Sequence, residues 1–276
     1  MLRDFSLSLL LFYFLALPHK AWACSFKEGL EVLSFSGPVT TLLEELALLK
    51  DPALKAVSTF HPVETEKIKK IAGGIFVSPK VLSQFNEPVI FFDQSSELEK
   101  ALSQNKFKKL VEITTRDMDP FAANQAALEA INPFLEGCSN KVKSLKDEMK
   151  KIKAAWKKIN LPPATFVFYL GSFKKGQRPP ELVIANDGFV KFFKKQKKAR
   201  SYPGNLAYLP WSKKILSRLK NPAHIGIHES EKEGILIERV EEGVFNIGYK
   251  GVLTPGIRQA LFLKSLVDSD FFGKFL

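Results

Sequence analysis

The feature that most constrains this chain is a row of apolar residues near its middle. Val142, Leu145, Met149, Ile152, Trp156 and Ile159 follow one another at intervals of 3, 4, 3, 4 and 3. That spacing puts all of them on one stripe of an α-helix. Lysines fill the other faces, Ser139 stands at the start as a cap, and Pro162-Pro163 end the run. Some twenty residues at ~1.5 Å each span roughly 30 Å, the width of a small lobe. A helix with a single apolar stripe must bury it, and one this long can brace two bodies at once.

On both sides of this rod, strand-like and helix-like segments alternate. Before it, strands are predicted at 30–35, 54–59, 89–93 and 109–114, and helices at 38–49, 63–71, 79–85 and 95–104. From 119 to 159 no strand is predicted; Asp119-Pro120 opens a helix, Gly137 interrupts it, and Ser139 caps the next. After Pro163, strands are predicted at 164–172, 223–230 and 244–250. Helices are predicted there at 187–198, 212–220 and 254–266, the last capped by Thr254 before Pro255. A strand–helix rhythm of this kind builds a sheet with helices on its faces. The expected fold is α/β: an N-terminal lobe over 24–118, a helical linker over 119–163, and a C-terminal lobe over 164–276.

VLSFSGPVTTLLEEL, residues 32–46, shows the rhythm in miniature. Val32, Leu33 and Phe35 suit a strand. Ser36 can cap a helix, and Pro38 fits a first-turn position, where its missing N–H costs nothing. In open α/β sheets such turns sit at the carboxyl edge, where ligands bind. The plain alternative is an ordinary strand-to-helix connection.

The first 23 residues read as a cleavable export signal. Arg3 precedes an apolar run from Phe5 to Leu17, and Ala21-Trp22-Ala23 gives a small-x-small cleavage pattern. The run is too short for a transmembrane anchor and ends at Pro18-His19-Lys20. Cleavage after Ala23 makes Cys24 the first residue of the exported chain. Cys24 then either carries a lipid or pairs with Cys138, the only other cysteine, and an even count in an exported chain favours the disulfide. Loss of Arg3, Lys20 and Asp4 takes the net charge from +12 to +11. Such a surface attracts anions; export argues against nucleic acid as the partner.

No catalytic motif stands out. There is no G-x-S-x-G elbow, G-x-G-x-x-G turn or Walker loop, and no HExxH or CxxC spacing. An enzyme is not expected, nor a cofactor or a metal centre. Tyr208 and Trp211, with Phe60 and Phe76, suit an aromatic floor for a flat ligand, against the alternative of core packing in a chain with 24 Phe. Arg178 lies in the loop KKGQRPPE, placed to pair with a carboxylate or phosphate. Arg258 lies on a helix and reads as a structural ion pair. His224 and His228 are evenly spaced on a strand and share a face; His61 stands apart from them. KFFKKQKKAR (191–200) reads as a helix with a buried Phe edge and a solvated lysine face.

Five stretches in order resemble one family. VLSFSGPVTTLLEEL, LKAVSTFHPVETEKIKKIAGG, SPKVLSQFNEPVIFFD, WSKKILSRLKNPAHIGIHES and TPGIRQALFLKSL, arranged about one long central helix, are similar to the helical-backbone periplasmic binding proteins of ABC importers. Those receptors capture cobalamin, ferric siderophores or haem. The resemblance implies two lobes facing across a ligand cleft, a metal-chelate ligand, a permease partner and a monomer in the periplasm. It places Ser36, Phe60, His61, Phe76, Asp93 and Gln94 in the first lobe's lining. It places Phe173, Arg178, Tyr208, Trp211 and Lys250 in the second's. Docking in that family commonly uses an acidic residue on each lobe; here Asp187 suits the second, while Lys80 stands at the first. Lys80 therefore supports another expectation, a binding fold that has lost transport and serves as an interaction protein. A bare metal-ion receptor, using His61 with Asp93, is a third.

Overall fold

The computed structural model describes residues 24–59, 68–71, 77–93, 102, 106–115, 118–159, 165–184, 190, 200–201, 208–210, 219, 222–271 and 273. In the first lobe these give β1 (Ser25–Phe26), β2 (Val32–Phe35), α1 (Gly37–Glu45), β3 (Leu54–Ser58), β4 (Lys69–Ile71), the one-turn α2 (Pro79–Leu82), β5 (Val89–Asp93) and β6 (Lys109–Ile113). Strands β4-β3-β2-β5-β6 form a sheet in that order, every pair parallel. Such a sheet must be covered on both faces. Its central strands, VLSF and VIFFD, are accordingly almost continuously apolar and buried. Val32, Val57, Val89 and Phe91 enter one core on one face, while Leu33, Phe35, Ala56, Ile90 and Phe92 enter a second on the other.

The connecting region holds α3 (Pro120–Ile131), β7 (Leu135–Glu136) and α4 (Ser139–Lys158). Asp119 caps α3, accepting from the N–H groups of Phe121 and Ala122 at 2.9 Å each. Two expectations are corrected here. A strand does occur between 119 and 159: β7 pairs antiparallel with β1, and two residues are too few to show a period. The cap position of α4 is Cys138, not Ser139, which lies inside the first turn. Cys138 is disulfide-bonded to Cys24 across 114 residues, so the start of the rod is tied to the residue that precedes β1.

The second lobe holds β8 (Thr165–Leu170), β9 (Leu182–Ile184), β10 (Arg200–Ser201), β11 (Tyr208–Pro210), β12 (Pro222–His228), β13 (Leu236–Glu241), β14 (Val244–Gly248) and α5 (Ile257–Asp268). Its sheet runs β11-β9-β8-β12-β14-β13, with β10 beside β8. The pairs β8–β12 and β12–β14 are parallel; β9, β11 and β13 join antiparallel. Strands β9, β11 and β13 were not predicted. LVI and YLP are three residues long, and LIERVE is mostly exposed and charged, so none carries the apolar run that marks a buried strand. The segment 63–71, predicted as helix, is corrected at its end: Lys69–Ile71 form an edge strand with two exposed lysines, a pattern that imitates a solvated helix face. Helix α5 starts at Ile257, after Gly256 at φ 99°, rather than at Thr254-Pro255. The predicted helices at 187–198 and 212–220 fall almost wholly outside the described residues.

Helices α1, α3, α4 and α5 join the two sheets. Leu42, Leu43, Ile131, Trp156, Leu263 and Leu266 lie in one buried cluster with Phe91 of the first sheet and Phe166, Ile225 and Ile247 of the second. All of the rod's stripe from Val142 to Trp156 is buried in it. Arg258 of α5 pairs with Glu44 and Glu45 of α1, and Lys141 of α4 donates to the Leu46 carbonyl at 3.0 Å. The two lobes are thus fixed through a shared helical layer. Among the described residues no helix is long and apolar enough to cross a membrane.

Candidate functional site

At the carboxyl edge of the first sheet, β2 ends at Phe35 and the chain turns at once into α1. The turn exposes the first N–H groups of the helix, which need acceptors. Asp93, at the end of neighbouring β5, supplies them. Its Oδ1 accepts from the Ser36 hydroxyl at 2.7 Å and its Oδ2 from the Gly37 N–H at 3.2 Å. Burial raises the Asp93 pKa above the ordinary carboxylate value, against the lowering effect of those two hydrogen bonds. Ser36 itself is fully buried, and its Oγ also receives the Val39 N–H at 3.5 Å. The Ser36 hydroxyl, expected in the ligand lining, is engaged as a helix cap and an Asp93 donor. The polar group at this strand end that retains exposed surface is Asp93.

At the carboxyl edge of the second sheet the chain turns at Gly171 after β8, at Glu229 after β12 and at Tyr249 after β14. The Glu229 carboxylate accepts from the N–H groups of Gly251 at 2.6 Å and Leu253 at 3.1 Å, holding two of these turns together. Lys250, one of the predicted lining residues, has a side chain only 12% exposed and lies 3.1 Å from Glu233. Arg258 makes the structural ion pair its helical position suggested, with Glu44 and Glu45. Burial pushes Glu45 above the usual carboxylate range, partly opposed by Arg258. These two cations are already neutralised by the protein. Arg178, in the loop between β8 and β9, is exposed.

Phe173 takes a course that its sequence position did not suggest. Its backbone N–H donates to Asn246 Oδ1 at 2.7 Å, and Asn246 Nδ2 donates to its carbonyl at 3.0 Å. Asn246 Nδ2 also reaches Glu238 at 3.0 Å. This clamp needs Gly226: a Cβ there would lie 2.6 Å from the Gly171 carbonyl and 2.7 Å from Asn246 Oδ1. Thus pinned, the Phe173 ring folds back over the sheet, 4.8 Å from the Tyr169 ring and 6.4 Å from that of His224. The Tyr169 hydroxyl and His224 Nδ1 are 2.8 Å apart. Burial lowers the His224 pKa, with Glu241 opposing. His224 pairs in register with the first residue of β14, and Tyr169 with Gly226 in the middle of β12, so the cluster lies on the face of the sheet. The Phe173 ring, expected in the cleft lining, packs on the lobe's own sheet face and keeps part of its surface exposed. His224 and His228 do share a face of β12, as their even spacing implies.

Phe60, His61, Phe76, Gln94, Asp187 and Trp211 lie outside the described residues, and for Tyr208 only its place in β11 is described. Asn246 and Tyr169 were not foreseen. The available signal was a lone Asn inside the apolar strand VFNIG and a Gly inside PAHIGIH, paired in register with one another. Among the described residues no group of three or more His, Cys, Asp or Glu is placed to hold a metal ion.

Three solved structures show how far the architecture is shared. The periplasmic heme-binding protein BhuT, in complex with two hemes, matches with a TM-score of 0.62 at 13% identity, over 87% of this chain and 98% of its own. The periplasmic heme-binding protein HutB of Vibrio cholerae matches at 0.60 and 14% identity, over 88% and 99%. A possible iron-binding, periplasmic solute-binding protein from Staphylococcus epidermidis matches at 0.60 and 18% identity, over 87% and 98%. No family model and no curated protein matches the sequence. At these identities the likeness establishes the fold, that of a two-lobe periplasmic binding protein with parallel sheets joined by helices.

Proposed function

We propose that this chain is an exported solute-binding protein that captures a metal chelate in a cleft between the carboxyl edges of its two sheets and hands it to an ABC importer. The observation that carries the reading is the fold match. It spans nearly the whole of both chains, and two of the matched proteins are described as binding heme. The helical layer adds a physical reason. Lobes joined by a shared buried core cannot swing widely, so the binding surface is preformed and little ordering cost opposes a rigid, flat ligand. Because Lys250 and Arg258 are internally paired, recognition rests on contact area and on Asp93 more than on a basic rim. Residues 1–23 direct export and are cleaved, and Cys24 is held by its disulfide rather than by lipid.

Titration of the purified chain with hemin, cobalamin and ferric siderophores, followed by visible absorbance and tryptophan quenching, tests this. Saturable one-to-one binding of one chelate is expected. Flat titrations for all of them, with no metal found after extraction, would refute chelate capture. They would favour an interaction protein that has lost transport, the reading that exposed Lys80 on α2 supports.

A further inference from the structure

Under the β8–β9 loop lies a cavity of about 230 Å³ that shares only Phe173 with the lining expected for a chelate. Its floor is the face of β8, β12 and β14 that carries Tyr169, His224 and Val244, and its wall is Phe173. Lys174 and Lys175 line it on the loop side, and Glu241 on the side of the β13–β14 turn. The wall is fixed in place: the Asn246 clamp and the missing side chain at Gly226 hold the Phe173 backbone to the sheet. Ordinary core packing would bury all three rings. Here Tyr169 is fully buried, whereas Phe173 and His224 keep exposed surface. The imidazole is oriented from behind, because Nδ1 is engaged by the Tyr169 hydroxyl. Among the described residues Nε2 has no hydrogen-bond partner.

We propose that this pocket binds a small aromatic carboxylate bearing a hydroxyl or amino group on the far side of its ring. The size argues for one ring: a dry cavity of about 150 Å³ holds benzene, and 230 Å³ adds room for two small substituents. The ring stacks or edges against Phe173 and His224. The carboxylate turns toward Lys174 and Lys175, where charge-assisted hydrogen bonds favour it. Glu241 repels that end and accepts from the donor at the other, so the charge pattern sets one orientation. The site is built on the face of the second sheet, under the β8–β9 loop, and its occupancy is read separately from chelate capture.

Isothermal titration of the full chain with 4-hydroxybenzoate provides the test, with two comparison probes: cyclohexanecarboxylate, which lacks the aromatic ring and the hydroxyl, and benzyl alcohol, which lacks the carboxylate. Saturable one-to-one binding is expected, weakened about tenfold for either comparison probe, which is one unit of the usual affinity scale. K174Q/K175Q, on an exposed loop where folding is not at stake, should weaken it by about tenfold or more. The doublet K157Q/K158Q on α4 should leave it unchanged. The proposal is overturned if 4-hydroxybenzoate shows no saturable binding. It is equally overturned if both lysine doublets reduce binding alike, because the effect would then be net charge alone, or if cyclohexanecarboxylate binds as tightly as 4-hydroxybenzoate.

Discussion

The two lobes solve the same problem differently. The first sheet is parallel throughout and its central strands are buried on both faces, so they are almost wholly apolar, Ser34 with its hydroxyl paired to Thr40 being the polar member of β2, and the strand ends carry Ser36 and Asp93. The second has three parallel strands at its centre, flanked by antiparallel ones whose outer members are short or charged. Polar groups enter its interior face: Asn246 and His224 sit among aromatic rings, each with a partner. A sheet covered on both sides leaves room for chemistry only at its rim, whereas one partly covered by a loop can hold a pocket on its face. The difference predicts where each lobe is fragile.

Trp156→Ala attacks what the lobes share. The indole is fully buried in the common core, and its loss should cost about 4 kcal/mol. Urea unfolding followed by far-ultraviolet dichroism should show both lobes failing in one transition. If one lobe survives, the lobes are less coupled than the shared core implies. Arg258→Met should cost about 3 kcal/mol, because it strands Glu44 and Glu45 against an apolar surface. Restoring them as glutamines in the same chain should recover most of the loss.

Gly226→Ala tests the second lobe alone. The added methyl would meet a backbone carbonyl at 2.6 Å, so about 2 kcal/mol is expected. Hydrogen exchange should quicken in β8, β12 and β14 and stay unchanged in β2 and β5.

The smallest effects concern charge, and they differ in sign between the lobes. Asp93 has its folded-state pKa raised by burial, so the native state holds a proton that the unfolded chain has already released. Wild-type stability therefore rises as pH falls from the raised value toward 3.8. Asp93→Asn should melt higher than wild type at pH 8, with the gap closing on acidification. His224 is lowered by burial, so the unfolded chain protonates first and stability falls as pH drops through about 6.5. His224→Gln should flatten that decline. Thermal melts from pH 4 to pH 8 check both, and a wild-type profile with neither slope would sink the contrast.

The sequence alone determined the rod and strands β2, β3, β5 and β6 of the first lobe, because buried parallel strands and one-sided helices write their periodicity directly into residue order. It also carried the Asp119 cap, the pairing of Cys24 with Cys138 and the ion-pair role of Arg258. Tertiary structure decided the rest. That Ser36 meets Asp93, and that Phe173 folds onto its own sheet, depends on which group on a distant strand completes the hydrogen bonds. Edge strands such as LIERVE escaped for a related reason: half-exposed residues are chosen by their cross-strand partners, and those partners are not neighbours in the chain.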